Sequence, residues 1–326
     1  MAEPKSMHKP VCFLGIDTSN YTTSVAACDA DGRVILNLRK LLEVKNGERG
    51  LRQSDAVFSH VKNLPELLAD AKEVLQGYKI AAVGCSSTPR RVEGSYMPCF
   101  LVGRDAALSV GLGADVPVYS FSHQEGHVMA AAYSSGMAET LICKPFCAFH
   151  VSGGTTEILR VTPDGSTPCP FSLELIGGTN DLNAGQAIDR TGVMMGLDFP
   201  CGRAMEQLSD NCTEKVPSPH VSVKDLNCNL SGLESIARKL YESTNDRELT
   251  SRYVLDFLAL TFIRLSENLV QRYPEATLLF AGGVMSNKYI QGKLSSFDAL
   301  FASPEFSADN AAGIALLSKL AYTNQH

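Results

Sequence analysis

Two histidines stand four residues apart in the stretch HQEGH, as His123 and His127. An apolar, strand-like run precedes them, and an Ala-rich run of helical character follows. Because residues i and i+4 of a helix share a face, both imidazoles can point at one metal ion if the helix begins by His123. The alternative is a pair of hydrogen-bonded histidines on a helix surface, which the HxxxH spacing taken alone favours.

A third ligand is needed for a metal site, and a segment near the C-terminus offers one. In FSADNAAG, Asp309 comes just before a predicted helix. An aspartate at that place either caps the helix or directs its carboxylate at an ion. Both interpretations of Asp309 stay open on the residues alone.

The elements around these residues follow a repeated pattern. The stretch VCFLGIDTSNYTTSVAACDADGRVI predicts a strand, a polar turn from Asp17 to Thr22, a second strand and a turn into a third. The stretch CAFHVSGGTTEILRVTPDG predicts the same order, with a small polar turn from Ser152 to Thr155. Two such units about half a chain apart indicate a duplicated architecture. Alternating strands and helices elsewhere, including a long helix within SRYVLDFLALTFIRLSENLVQRY that ends before Pro274, indicate an α/β fold.

Glycine-rich turns recur in this pattern. Backbone N–H groups at such turns and at helix starts can hold the phosphates of a nucleotide. One candidate is the turn Ser152-Gly153-Gly154, and a second is Gly282-Gly283, because glycine lets the backbone approach a ligand without a Cβ in the way. Each glycine pair taken alone is explained as well by a tight turn.

The composition narrows the class of protein. The 326 residues are 44% hydrophobic, with a formal net charge of −6 and ten cysteines that show no CxxC pair. Together with the lack of an apolar run near about 18 residues, these features predict a globular cytoplasmic protein without a membrane span or a secretory signal peptide. The net charge disfavours a surface that binds nucleic acid throughout, whereas basic pairs such as Arg90 and Arg91 leave RNA open as a partner.

Seven motifs in order carry a resemblance to a known family. GIDTS resembles the family's opening G-I-E-T-S, HQEGH its H-x-E-G-H, and VSGGTT its V-S-G-G-H/N-T. AGQAIDRTGVMMGLDFPCG is similar to its G-E-A-F-D-K and G-L-x-Y-P-G-G, and NLSGLES to its S-F-S-G-L-K-T. AGGVMSNK and SADNAA resemble its A-G-G-V-x-A-N and T-D-N-G-A. Over nearly its whole length the chain is thus similar to the TsaD-like tRNA threonylcarbamoyladenosine transferases, formerly described as sialoglycoprotein endopeptidases.

The resemblance implies an α/β fold of the actin-like class, the superfamily of sugar kinases and actin ATPases. In that class, two duplicated α/β subdomains surround a central cleft. We expect the first subdomain in residues 1–121 and the second, with inserted helices, in residues 122–326. A further expectation is that the C-terminal helix packs back on the first subdomain.

The resemblance also makes His123, His127 and Asp309 the ligands of one divalent metal ion, iron or zinc. Two imidazoles and a carboxylate suit either ion and leave coordination positions open for substrate oxygens. His150 falls where archaeal relatives carry a tyrosine near the metal, so it is a candidate fourth ligand. The alternative for His150 is a strand histidine packed beside Phe149.

A site for an adenine nucleotide or a carbamoyl-adenylate is implied as well. The turn from His150 to Gly154 would cradle phosphate or carbamoyl groups, and Asp17 and Ser152 are candidates for polar support of the reaction. The residues implied to contact the ligand are His150, Val151, Ser152, Gly153, Gly154, Asp189, Gly202, Glu206, Gly282, Gly283 and Asn287. Three of these, Asp189, Glu206 and Asn287, also have structural explanations as helix caps or surface polar groups.

The implied activity is transfer of a threonylcarbamoyl or related carbamoyl group from a carbamoyl-adenylate to the N6 amine of the adenosine beside the anticodon of a tRNA. A metal Lewis acid and backbone donors would stabilise charge on oxygen, with no covalent nucleophile. The implied partners are tRNA, a related actin-like scaffold protein and a small ATPase or kinase, with no membrane. Peptidase activity is not implied, because HQEGH is not the HExxH of zinc proteases.

Several departures from the family pattern lie in loops. Tyr21 and Thr22 replace two acidic residues, STPRRVEGSYMP replaces a G-P-G-L stretch, and Arg190 replaces a lysine. These changes are typical of a divergent paralogue with altered acceptor-side loops. Two alternatives to the transferase therefore stay open: a non-catalytic or regulatory scaffold that binds a nucleotide, and an actin-like ATPase or kinase with Asp17 as its catalytic residue.

Overall fold

The computed structural model describes residues 9–19, 21–43, 51–166 and 168–325, and these divide into two compact units. The first unit is formed within Met1–Tyr133, Asp164–Phe171 and Asp309–His326. The second unit consists of Ser134–Pro163 and Ser172–Ala308. The first unit therefore extends past residue 121, the end expected from the sequence, and includes nearly all of the helix that begins at His123.

A five-stranded sheet forms the centre of the first unit. Its elements before residue 135 are β1 (Val11–Ser19), β2 (Thr22–Asp29), β3 (Val34–Leu41), α1 (Gln53–Leu75), β4 (Lys79–Thr88), α2 (Phe100–Ala114), β5 (Val118–Ser122) and α3 (His123–Ser134). The strand order is β3-β2-β1-β4-β5, with antiparallel pairs among β1, β2 and β3 and parallel pairs among β1, β4 and β5. Because parallel neighbours need a crossover connection, α1 and α2 lead into β4 and β5.

The polar residues expected to form a turn from Asp17 to Thr22 belong mostly to strands. Asp17 pairs with Ser24 and Ser19 with Thr22, so the antiparallel ladder continues through the polar run. The ladder can continue because its hydrogen bonds come from the backbone, whatever the polarity of the side chains. This corrects the expected turn, of which Asn20 lies outside the described residues, and it places the carboxylate of Asp17 in a buried position at the carboxyl end of β1.

The second unit repeats this architecture. Its elements are α4 (Ala138–Leu141), β6 (Phe146–Val151), β7 (Thr156–Pro163), β8 (Phe171–Thr179), α5 (Ala184–Met194), α6 (Gly202–Asn211), β9 (Ser222–Lys224), β10 (Asn227–Asn229), α7 (Ser231–Thr244), α8 (Arg247–Arg272), β11 (Thr277–Ala281), α9 (Lys288–Lys293), β12 (Leu300–Phe301) and α10 (Pro304–Ser307). The sheet order is β12-β11-β6-β7-β8-β10-β9, with β6 antiparallel to β7 and parallel to β11. The run β8-β7-β6-β11-β12 has the same order as β3-β2-β1-β4-β5, which confirms the predicted duplicated α/β architecture.

The C-terminal helix, α11 (Ala312–Gln325), packs on β1 and β4 of the first unit. It covers the face of the sheet opposite to α1 and α2. On the α1 and α2 face, Leu14 and Ile16 of β1 pack in an apolar core with Leu64 and Ala107. Its own residues Ala312, Ile314 and Ala315 are fully buried. This packing carries the segment before α11, with Asp309, back to the first sheet.

The longest described helix, α8, agrees with the helix predicted before Pro274. It spans 26 residues and begins earlier than predicted, because the side chain of Asp246 caps its first turn by accepting a hydrogen bond from the N–H of Leu249 at 2.9 Å. Much of its length is buried in the core of the second unit. Among the described residues no helix, α8 included, is long and apolar enough to cross a lipid bilayer.

Candidate metal centre and nucleotide pocket

Three potential metal ligands converge in the first unit. The Nε2 atom of His127 lies 2.9 Å from Nε2 of His123 and 3.0 Å from Oδ1 of Asp309. Nε2 of His123 lies 3.6 Å from the same carboxylate oxygen. Ligands of one ion at bond lengths of about 2.1 Å are separated by about 3.0 Å in octahedral and about 3.4 Å in tetrahedral coordination, so the three atoms fit around a single metal. Within the described part of the chain, this is the only group of three such residues that could hold an ion.

The two histidines share one face because α3 begins at His123. Ser122 and Glu125 form a capping box around this start: the N–H of Ser122 donates to Oε2 of Glu125 at 2.6 Å, and the N–H of Glu125 donates to Oγ of Ser122 at 3.2 Å. The box fixes the first turn, so His127 follows His123 one turn later on the same face. The S-x-x-E spacing of Ser122 and Glu125 signals this capping box, which was not among the predictions from the sequence.

Asp17 holds His123 from the other side of the imidazole. Its Oδ2 lies 2.6 Å from Nδ1 of His123. Because a carboxylate only accepts hydrogen bonds, Nδ1 is the donor, and Nε2 is the nitrogen that faces His127 and Asp309. A carboxylate that fixes the tautomer and orientation of a histidine is typical of metal sites.

The two carboxylates around His123 change its protonation. Burial disfavours the charged imidazole, but the charges and hydrogen bonds of Asp17 and Asp309 outweigh burial and raise the pKa of His123 to about 10. Burial raises the pKa of Asp309, whereas hydrogen bonds from His123 and His127 lower it, and the balance holds it well below its ordinary value. A cation bound by Nε2 of His123 would have to replace the proton on that nitrogen, so metal binding is expected to release a proton.

Asp309 does not cap α11. The neighbouring Asn310 takes that role, since its Oδ1 accepts a hydrogen bond from the N–H of Ala312 at 3.0 Å. The carboxylate of Asp309 instead faces the two histidines, and Oγ of Ser19 donates to its Oδ2 at 3.5 Å. The capping alternative for Asp309 is therefore wrong, because the next residue satisfies the start of the helix.

Replacing Asp17 by asparagine tests the role of its charge. Asparagine can still accept the hydrogen bond from Nδ1 of His123, but it lacks the negative charge that favours a cation, so we expect zinc affinity to fall by about 10- to 100-fold with the fold retained. Competition with a chromophoric chelator measures the affinity, and thermal melting reports the fold. Asp105→Asn, on the exposed side of α2, is the matched control. Unchanged zinc affinity in Asp17→Asn would contradict the assigned role.

A cavity in the second unit brings together six of the residues that the sequence assigned to nucleotide binding. Its volume is about 340 Å³. The six residues that line it are Gly153, Asp189, Gly202, Glu206, Gly283 and Asn287. The other lining residues, which the sequence analysis missed, are Gly185, Ile188, Pro200, Arg203, Val284 and Ser286. A glycine at the start of a helix after a strand-turn-strand unit could have indicated Gly185, whereas the other five become visible only through packing.

The polar residues of this cavity also have structural roles. Oδ1 of Asp189 accepts a hydrogen bond from the N–H of Cys201 at 2.8 Å, and burial raises the pKa of Asp189. Oε1 of Glu206 accepts a hydrogen bond from the N–H of Lys288 at 2.5 Å, and Asn287 caps α9. The helix-start role left open for Asn287 is therefore confirmed, whereas Asp189 and Glu206 accept backbone hydrogen bonds from other segments, and all three side chains line the cavity.

The turn between β6 and β7 lies against the start of α5. The N–H of Ser152 donates to the carbonyl of Thr155 at 2.7 Å and closes the turn, and the N–H of Gly185 donates to the carbonyl of Ser152 at 3.2 Å. A Cβ on Gly185 would lie 2.7 Å from Cα of Gly153. Glycine at 185 is thus required for the close approach that brings the turn to the cavity.

The remaining residues assigned to nucleotide binding do not line this cavity. Gly282 has a φ of +100°, and a Cβ there would overlap the carbonyl oxygen of the buried Val151, so it serves the packing of β11 on β6. Gly154 lines a separate polar cavity of about 540 Å³ in the same unit. His150 lies on β6 and is not a member of the metal-ligating group of described residues.

One family model matches most of the chain. A family model described as TsaD, tRNA N6-adenosine threonylcarbamoyltransferase, matches residues 41–316, well over half of the chain. The chain belongs to this family. The match to TsaD includes all three candidate metal ligands and begins after Asp17, whose role therefore rests on its contact with His123.

Solved structures show the fold of this TsaD-family chain. Component A of (R)-2-hydroxyglutaryl-CoA dehydratase from Acidaminococcus fermentans matches with a TM-score of 0.53 at 14% identity, over 96% of this chain and 99% of that one. HypF from T. kodakarensis matches with a TM-score of 0.56 at 11% identity, over 97% of this chain and 48% of that one. A ROK family glucokinase from Streptomyces griseus, in complex with glucose and AMPPNP, matches with a TM-score of 0.50 at 12% identity, over 95% of this chain and 98% of that one. These similarities confirm the actin-like α/β fold and carry no statement about substrate.

Proposed function

We propose that this TsaD-family chain uses a divalent metal, iron or zinc, to transfer a threonylcarbamoyl or related carbamoyl group from a carbamoyl-adenylate to N6 of the adenosine beside the anticodon of a tRNA. The observation that carries the proposal is the convergence of His123, His127 and Asp309, with Asp17 bonded behind His123. A metal ion bound there would supply a Lewis acid for the carbamoyl donor. Two imidazoles and one carboxylate leave further coordination positions for oxygen ligands.

In the proposed transfer, a new bond joins N6 of the acceptor adenosine to the carbonyl carbon of the donor. The bond from that carbon to the phosphate oxygen breaks, the adenylate leaves as AMP, and N6 gives up a proton. The N–H of Ser152 closes the turn by its bond to Thr155, so the backbone N–H groups of the other turn residues are the candidate donors to the phosphate or carbamoyl oxygens, with the Ser152 side chain as polar support. Asp17 supports the reaction indirectly, because it holds the Nδ1 proton of His123 and keeps Nε2 directed at the ion.

The adenosine part of the donor is proposed to occupy the cavity of about 340 Å³ in the second unit. Carboxylates of Asp189 and Glu206 are the candidate acceptors for ribose hydroxyls, and Asn287 is the candidate contact to the base. Gly153, Gly202 and Gly283 line the same cavity without side chains, which leaves space for the ligand.

Replacing Asp189 by asparagine tests this assignment. Asparagine can still accept the hydrogen bond from the N–H of Cys201, but a ribose hydroxyl would lose a charged acceptor, so we expect AMP affinity to fall by about tenfold or more. Isothermal titration calorimetry measures the affinity. Asp210→Asn, on the exposed side of α6, is the matched control. An equal loss in both variants, or none in Asp189→Asn, would count against the pocket.

The kinase or ATPase alternative is disfavoured by the environment of Asp17. A phosphoryl-transfer role needs this carboxylate beside a nucleotide's terminal phosphate, whereas Asp17 is 1% exposed and bonded to His123. The scaffold alternative is disfavoured by His123, His127 and Asp309, because a scaffold has no chemical need for metal ligands. A purified sample that holds neither metal nor nucleotide would support it.

Complementation tests the proposed activity. The chain, together with its native genomic neighbours, is supplied to cells depleted of their own threonylcarbamoyl transferase, and their tRNA nucleosides are measured by mass spectrometry. We expect threonylcarbamoyladenosine to be restored. The neighbours are included because we propose that the chain works with a related actin-like scaffold and a small ATPase or kinase. No restoration by a folded, metal-loaded protein would favour a different acceptor or the scaffold alternative.

A further inference from the structure

A salt bridge anchors the loop between β4 and α2 to the first turn of α3. Nε of Arg91 donates to Oε1 of Glu125 at 2.8 Å, and Nη2 of Arg91 donates to Oε2 of Glu125 at 3.1 Å. The same Nη2 donates to the carbonyl of Ser120 on β5 at 3.2 Å. A planar guanidinium that meets both carboxylate oxygens fixes orientation as well as distance. Arg91 therefore ties together the loop, the end of β5 and the start of α3.

The buried carboxylate of Glu125 needs the positive charge of Arg91. The side chain of Glu125 is 3% exposed, against 48% for Arg91. A buried carboxylate is unfavourable unless it is paired and hydrogen-bonded. The buried thiol of Cys169 also contacts Glu125, but a thiol carries no positive charge in either protonation state. The charge compensation of Glu125 therefore comes from Arg91.

Glu125 links Arg91 to the metal ligands, because it lies in the first turn of the helix that carries His123 and His127. It lies two residues from both His123 and His127, so it does not share their face, and its contact with Arg91 is separate from the ligand atoms. Its carboxylate also closes the capping box with Ser122, which sets where α3 begins. The N–H of Gln124 adds a backbone hydrogen bond to the carbonyl of Pro89 at 3.1 Å. The loop thus holds the first turn of α3, which presents His123, through two residue pairs, Arg91 with Glu125 and Pro89 with Gln124.

We propose that Arg91 is a positioning residue that fixes the first turn of α3 and, through it, the placement of His123 and His127 for one metal ion. Arg91 belongs to the segment STPRRVEGSYMP, which departs from the family's G-P-G-L stretch. The altered loop is therefore part of the support of the metal centre. This inference rests on the metal site of the proposed function. It assigns to that site a supporting residue, Arg91, that touches neither metal nor substrate.

Metal binding by purified full-length variants tests the inference. Zinc affinity is measured by competition with a chromophoric chelator, and the visible absorption of the Co²⁺-loaded protein reports ligand geometry. We expect Arg91→Met to lower zinc affinity by about 10- to 100-fold, the usual effect of removing support around metal ligands, and to change the Co²⁺ spectrum. Arg33→Met, an exposed arginine of the same unit, is the matched control and should do neither.

Two further variants separate positioning from loss of folding. Arg91→Lys keeps the charge but loses the two-point contact, so its affinity should lie between those of the wild type and Arg91→Met. Arg91→Met combined with Glu125→Gln removes the unpaired buried charge and keeps a side chain that can close the capping box. We expect this double variant to recover affinity relative to Arg91→Met, as a non-additive effect. Thermal melting confirms that each protein is folded.

The outcomes distinguish this inference from the proposed function. If folded Arg91→Met and Arg91→Lys bind zinc as tightly as the wild type, with an unchanged Co²⁺ spectrum, while His127→Ala loses binding, the positioning role is wrong and the metal site stands. If the wild type binds neither zinc nor Co²⁺, the metal site fails and the inference fails with it.

Discussion

Replacing His127 by alanine is expected to abolish metal binding and, with it, tRNA modification in the complementation assay. The substitution removes one of three ligand atoms, and the other two cannot enclose an ion alone. Loss of supporting residues around metal ligands already costs about 10- to 100-fold in affinity, so loss of a ligand should exceed about 100-fold. The expected result is metal content at background after dialysis in metal buffer, and threonylcarbamoyladenosine at the level of cells without the chain.

His127 is a better target than His123 for this test. Removing His123 would leave the buried carboxylate of Asp17 without its bond to Nδ1, so reduced stability would be mixed with the loss of a ligand. His220→Ala, an exposed histidine of the second unit, is the matched control and should retain full metal content. A His127→Ala protein with full metal content and full activity would remove the basis of the metal-dependent proposal.

Replacing Gly313 by alanine is expected to destabilise the first unit and to disrupt the metal centre. A Cβ at this position would overlap the carbonyl oxygen of Gly126 on α3 and lie 2.9 Å from the backbone nitrogen of Ala130. Overpacking costs about 1–3 kcal/mol, and because the obstructing atoms are backbone, we expect about 3 kcal/mol or more. Relief of the overlap requires α11 to move away from α3, which would carry Asp309 away from the histidines.

Urea denaturation and zinc competition measure the two effects of Gly313→Ala. Gly113→Ala is the matched control, because a Cβ on this residue of α2 would meet no atom within 4 Å. We expect the control to keep zinc affinity and to be neutral or slightly stabilising, since alanine has the higher helix propensity. If the free energy of unfolding of Gly313→Ala is within about 1 kcal/mol of the wild-type value, α3 and α11 can shift apart at little energetic cost, and the prediction is wrong.

The sequence by itself determined the features that are local along the chain. The HQEGH spacing predicted His123 and His127 on one helix face, and the structure has α3 beginning at His123. The repeated strand-turn-strand patterns predicted the duplication that both sheets show. The family motifs gave the candidate ligands and half of the residues that line the cavity in the second unit. Periodicity and capping signals act within one element, and for that reason a single stretch of sequence carries them.

Only the tertiary structure decided which of these elements support each other. Asp17 was expected in a turn, but the ladder of β1 and β2 continues past it and brings its carboxylate to His123, 106 residues later. Arg91 was noted as a departure from a family loop, and its pairing with Glu125 became visible only once β5 and α3 were in place. Asp309 left two interpretations open until Asn310 was found to cap α11. Each of these contacts joins residues of different elements or depends on the position of a neighbouring helix. Their geometry follows from how strands and helices pack, which no local pattern of residues specifies.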